Sequence, residues 1–169
     1  MKLRKTEKGQ ALILIVLAIV GMIGLTALAV DGGMAYSERR QAQNAADSAA
    51  LDGGLAKIRG ADPTGIAAEG RARAASNGFD NNGTNNTVAV NNPPAVGCNG
   101  LEGPYFNNIQ YVQVIIRNAT QTYFGGVIGI PEVKNCVEAI ARVVPSTAQV
   151  MYGGNAVVGL APTGCNNVY

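Results

Sequence analysis

Between Ala11 and Val30 the chain runs for twenty residues without a charge, and Thr26 carries the only polar side chain in the run. A helix rising ~1.5 Å per residue over that stretch reaches about 30 Å, the hydrocarbon thickness of a bilayer. Soluble core helices are seldom apolar on every face for so long, and a cleavable signal normally has an apolar core of only about 7–15 residues. The run therefore predicts a retained transmembrane anchor over residues 10–30, in contact with membrane lipid. A head at residues 1–9 precedes it, in which Lys2, Arg4, Lys5 and Lys8 stand against Glu7. That excess of Lys and Arg places the N-terminus in the cytoplasm and the body outside it, in a single-pass topology. Ala27-Leu28-Ala29 supplies a small-x-small pattern that a signal peptidase accepts, so a secreted protein released near Ala29 is the competing expectation.

The whole chain carries a formal charge of +2, and the basic excess belongs to the head, so the remainder offers no general basic surface for nucleic acid. There is no His anywhere, which removes the commonest general base and the commonest neutral metal ligand. The expectation is a protein that is not an enzyme, with no catalytic residue, cofactor or metal site. A body rich in Gly, Ala and Asn but poor in aromatics has a thin core, which gains from a covalent staple or an assembly partner.

Beyond the run, residues 31–76 read as a helical stalk. From Met34 to about Arg59, Ala35, Ala42, Ala45, Ala46, Ala49, Gly53 and Ala56 fall close to one stripe at helical spacing. Glu38, Arg39, Gln43, Asp47 and Lys57 lie on the other side. Methyl groups bury little area, so the packing stripe Ala42, Ala45, Ala46, Ala49 and Gly53 has its value in close approach. Its partner is the protein's own domain or, through self-association, another copy. Gly32-Gly33 costs about 1 kcal/mol per Gly in a helix interior and predicts a kink or joint between anchor and stalk. Pro63–Ser76 predicts a second short helix, ended by Asn77-Gly78.

The string "KGQALILIVLAIVGMIGLTALAVDGGMAYSERRQAQNAADSAALDGG" closely resembles the N-terminal segment of the TadE/TadG-like proteins of the tight-adherence (Flp) pilus system. That segment has a Gly before an apolar span and then a "VD.G..Y......QNAADAAAL.G" pattern. Val30, Asp31, Gly33, Tyr36, Gln43, Asn44, Ala45, Ala46, Asp47, Ala49, Ala50 and Leu51 fall on it. The resemblance implies a membrane-anchored extracytoplasmic protein that takes part in assembling or anchoring a Tad/Flp-type pilus or related envelope apparatus, with other pilus-assembly or envelope proteins as partners. It also implies an alternative, a minor pilin or pseudopilin cut between Gly9 and Gln10 and incorporated in a filament. Processed prepilins of this system carry Glu at the fifth position after the Gly, where this chain has Leu14, so retention of the head is expected over processing. Large relatives hold a metal through Asp-x-Ser-x-Ser in a von Willebrand A-like domain; the nearest string here, Asp47-Ser48-Ala49, lies within the stalk and makes no such site.

Residues 77–108 are rich in Asn, Gly and Pro and read mostly as loop, with Thr87–Val90 strand-like. Residues 109–169 read as a small antiparallel sheet region. In "IQYVQVIIRN" Val112, Val114 and Ile116 face one way and Tyr111, Gln113, Ile115 and Arg117 the other, the pattern of a half-buried strand. "TQTYFGGVIGI" reads as a short helix or turn, Val137, Ala139, Ala141 and Val143 alternate along a second strand, and Ala148–Pro162 adds one or two more. The strand, short helix, strand order also resembles the C-terminal part of TadE/TadG-like members. The fold class is α+β: an N-terminal transmembrane helix continuing into a long Ala-rich helix, packed on a small antiparallel sheet in a pilin-like manner. Outside the cytoplasm thiols oxidise, and three cysteines allow one intrachain bridge. Cys98–Cys136 is expected narrowly ahead of Cys136–Cys165. Relatives often continue past a segment such as Cys165–Tyr169, which leaves a shortened form of a longer protein open.

Overall fold

The computed structural model describes residues 8–144. Helix α1 runs from Lys8 to Ile58 as one element of 51 residues, about 75 Å long at ~1.5 Å per residue. The joint expected at Gly32-Gly33 is absent, and the helix passes through both glycines. Helix propagation is cooperative, so two poor residues flanked by long favourable segments are carried along at a cost of about 1 kcal/mol each. A tertiary contact across the join, described below, braces the same place.

Gly60 at φ 88° turns the chain back into α2, Pro63–Ser76. Asp62 caps that helix, accepting from Gly65 N at 2.9 Å, with Pro63 in the first turn where its missing N–H costs nothing. Strands β1 (Asn86–Asn91), β2 (Tyr111–Gln121) and β3 (Glu132–Arg142) then form an antiparallel sheet in the order β1-β2-β3. The register pairs Val90 with Val114 and Val114 with Ala139. The fold is thus α+β, two helices on one face of a three-stranded sheet, with α1 under β2 and β3 and α2 under β1.

The core lies between these layers. Ala42, Ala45, Ala46 and Ala49 of α1 have no exposed surface, nor do Val112, Val114 and Ile116 of β2. Ile66 and Ala74 of α2, Val88 and Val90 of β1, and Val137, Ala139, Ala141 and Val143 of β3 complete it. Small side chains on α1 let the helix axis sit close to the sheet. At Gly53 an added Cβ would lie 3.1 Å from Val112 Cγ1, so nothing larger than Gly fits there without movement.

Two sequence expectations require correction. β2 is not half-buried: Gln113 and Ile115, on the face away from the helices, are also buried. The reason is that the loop between β1 and β2 folds over that face. The sheet is also not confined to residues 109–169, because β1 at Asn86–Asn91 supplies one edge from the region expected to be mostly loop. The further strands expected in Ala148–Pro162 lie outside the described residues.

Candidate functional site

Among the described residues no group of three or more His, Cys, Asp or Glu could hold a metal ion. What the sequence builds instead is a set of mechanical joints at the two ends of the α1–sheet sandwich, and an apolar half-helix that the body leaves bare.

That half-helix is exposed around nearly its whole circumference. Leu12, Leu17, Met22, Leu25 and Leu28 are all more than 60% exposed, although they point in different directions around α1. The hydroxyl of Thr26 donates to the carbonyl of Met22 at 2.8 Å, so the one polar side chain of the run is satisfied within the helix and needs no outside partner.

Immediately after the run, Asp31 closes the first joint. Its carboxylate accepts three backbone hydrogen bonds from the β2–β3 connection: from Tyr123 N at 2.9 Å and Phe124 N at 3.0 Å, and from Gly125 N at 2.7 Å. Gly125 N opens a 3-10 turn, Gly125–Ile128, and Phe124 is its N-cap, so the carboxylate supplies acceptors at a helix start that has no side-chain cap of its own. Desolvation works against ionisation of Asp31, but the three backbone donors outweigh it and hold the carboxyl below its ordinary value of 3.8. The connection is thereby folded back along α1, with Phe124 beside Ile19, Met22, Ile23, Thr26 and Ala27.

The second joint lies on the outer face of the sheet, toward its other end. Gln113 Nε2 donates to Glu138 Oε1 at 2.7 Å, and Gln113 Oε1 accepts from Ala95 N at 2.8 Å and Asn91 Nδ2 at 2.9 Å. Glu138 Oε2 accepts from Cys98 N at 3.3 Å. The buried Gln113 and the half-buried Glu138 on neighbouring strands thus satisfy each other and the loop above them. A disulfide joins Cys98 to Cys136 with Cα atoms 5.8 Å apart and a sequence separation of 38 residues. Closing a loop of that length contributes about 3–4 kcal/mol on the chain-entropy model. Beneath the same loop, Lys57 Nζ donates to Asn92 Oδ1 at 2.8 Å and to the carbonyl of Ile109, and Asn92 Nδ2 donates to the carbonyl of Tyr111 at 2.6 Å.

The residues singled out in the sequence fall into three places. Gly9 and Gln10 lie in the first turn of α1. Ala42, Ala45, Ala46, Ala49 and Gly53 line the interior of the body, where α1 meets its own sheet and α2, and are covered there. Cys98 and Cys136 are bonded to each other, while Cys165 lies outside the described residues. The side of α1 read as polar is not a free surface: Glu38 Oε1 accepts from Asn118 Nδ2 at 3.2 Å, and Gln43 Nε2 donates to the carbonyl of Glu138 at 3.2 Å. Sequence reasoning missed the part played by Asp31, and it missed Gln113 and Glu138. The available signal was a polar residue set among apolar neighbours in each strand, Gln113 within Val112–Ile116 and Glu138 within Val137–Ala141.

A family model described as putative Flp pilus-assembly TadE/G-like matches residues 9–62. No curated protein and no solved structure matches the chain. The matched stretch, about a third of the chain, contains the bare half of α1, Asp31 and the whole alanine stripe. Residues 9–62 are a TadE/TadG-like segment of the Flp pilus-assembly type.

Proposed function

We propose that this is a single-span, membrane-anchored extracytoplasmic protein that takes part in assembling or anchoring a Tad/Flp-type pilus, in a structural rather than catalytic role. The observation that carries the reading is the bare apolar half of α1, continuous with a folded body inside a TadE/TadG-like segment. Twenty uncharged residues exposed on all faces have no stable place in water, and a bilayer satisfies them along their length. The basic head supports an orientation with the N-terminus in the cytoplasm and the sheet outside, where the Cys98–Cys136 bridge persists.

Two measurements test this. A reporter enzyme active only after export, fused behind Tyr169, gives activity in cells, and the protein resists alkaline extraction but dissolves in detergent. Activity from a cytoplasm-only reporter at the same position overturns the orientation, and release by alkali overturns the anchor. The filament-subunit alternative is decided by intact mass: retention of the head gives the full-chain mass, whereas loss of residues 1–9 makes the protein a processed subunit. A soluble form beginning near Asp31 in culture fluid would instead mark release near Ala29.

A further inference from the structure

The connection between β2 and β3 presents a surface that the body does not use. Residues 122–131, Thr-Tyr-Phe-Gly-Gly-Val-Ile-Gly-Ile-Pro, carry no charge. Val127 is 87% exposed, Ile128 76% and Tyr123 71%, with Phe124 and Ile130 about half exposed. So many large apolar side chains gathered on one tight turn mark an interaction surface rather than the scattered exposure of an ordinary loop.

Its position names the occupant. Asp31 ties the turn to α1 at the outer end of the apolar run, and Phe124 lies beside Ile19 to Ala27, about seven residues, or roughly 10 Å, inward of Val30. The turn is therefore continuous with the lipid-facing surface of the anchor and occupies the level at which interfacial segments sit, about 5–10 Å into the headgroup and acyl boundary. Its backbone is prepared for such surroundings, in which an unpaired N–H costs several kcal/mol. Tyr123, Phe124 and Gly125 donate to Asp31, Thr122 N donates to Pro131 O, Val127 N to Phe124 O, Gly129 N to Gly126 O and Ile130 N to Gly125 O. The Thr122 hydroxyl is also satisfied, donating to the carbonyl of Ile130 at 2.5 Å. Just above, Glu132 and Lys134 form an ion pair at 3.2 Å and return the chain to polar surroundings.

We propose that the β2–β3 turn, through Tyr123, Phe124, Val127, Ile128 and Ile130, is a second membrane contact that dips into the outer leaflet beside the anchor. It rests on the anchor reading above, and it fixes the tilt and rotation of the body over the bilayer. A single continuous helix leaves the body free to rotate about the helix axis and to change its tilt with the anchor; helix and turn together define a plane.

The chain has no Trp, so single-Trp variants report one site each. Full-length Val127→Trp, Leu17→Trp and Leu101→Trp are reconstituted in phosphatidylcholine–phosphatidylglycerol vesicles whose acyl chains are brominated either near the headgroup or near the methyl end. The expected result is loss of emission from Val127→Trp with shallow bromines, loss from Leu17→Trp with deep ones, and no loss from Leu101→Trp, which is exposed in the loop at the far end of the sheet. Quenching of Leu17→Trp without Val127→Trp overturns the second contact and leaves the anchor standing; dimer formation by an Ile128→Cys variant under oxidation would then assign the turn to another copy of the chain. Absence of quenching at both positions overturns the anchor and the proposal together. Quenching at Val127→Trp alone overturns the anchor and keeps the turn as a lipid contact.

Discussion

Asp31 shows how much one carboxylate contributes when its position is fixed by a helix. It lies more than ninety residues from the amides it receives, and the three short bonds it accepts close the tip of a hairpin onto α1. Because its folded pKa is depressed, its stabilising effect is fully present above the ordinary value of 3.8 and is lost as pH falls through the folded value below that. In detergent micelles, the amide resonances of Tyr123, Phe124 and Gly125 should keep their positions from pH 7 to about pH 5 and shift together at lower pH. In Asp31→Ala they should already sit at the low-pH positions at pH 7, and shifts that ignore both pH and the substitution would disprove the joint. Gly97 is the corresponding point on the other face. A Cβ there would come within 2.5 Å of Glu138 Oε2, a carboxylate held by Gln113 and by Cys98 N. Gly97→Ala should lower stability by about 1–3 kcal/mol in thermal unfolding, whereas Gly103→Ala, with open space around it, should change little.

At the scale of elements, α1 is two helices in one. Its first half has no inward face, and its second half has a narrow one made of methyl groups. Narrowness is what lets α1, α2 and the sheet share so small a core, since each residue of the stripe meets neighbours at van der Waals distance. Ala46→Leu adds three heavy atoms where no surface is free and should cost about 1–3 kcal/mol, seen as a lower melting temperature. Leu51→Ala, on the outer side of the same helix at 68% exposure, should leave the melting temperature nearly unchanged. If Leu51→Ala instead abolished crosslinks to membrane partners, the outer side of α1 would be the docking face, a role the buried stripe cannot fill.

For the whole molecule, body and span are mechanically continuous yet energetically separate. The buried apolar residues of the described core run from Ala42 to Val143, none of them in the apolar half of α1. A fragment beginning at Asp31 should therefore fold, unfold cooperatively within a few degrees of the full-length body, and lose resistance to alkaline extraction. A fragment without cooperative unfolding would show that the span contributes to the fold itself.

How far these features could be read from the chain depends on the distance over which they are encoded. The apolar run, the alanine stripe at period 3.6, the Asp62-Pro63 helix start and the alternation of Val112, Val114 and Ile116 are all set within a few turns of backbone, and local periodicity displays them. The passage of α1 through Gly32-Gly33 was not legible, because a local propensity argues for a break while cooperativity along 51 residues, and a strap from Asp31, argue against one. Nor was the burial of Gln113 and Ile115, since alternation records which side chains share a face but not whether a loop later covers it. The Cys98–Cys136 pairing was favoured from the sequence only by a narrow margin: sequence counts thiols, and the register of β3 against the loop sets these two 5.8 Å apart at Cα. The sequence alone determined that one end of this chain is apolar enough to span a bilayer and that its stalk must pack closely. Tertiary structure alone decided what the stalk packs against and which amides Asp31 holds, because those contacts join residues brought together only when the sheet closes over the helix.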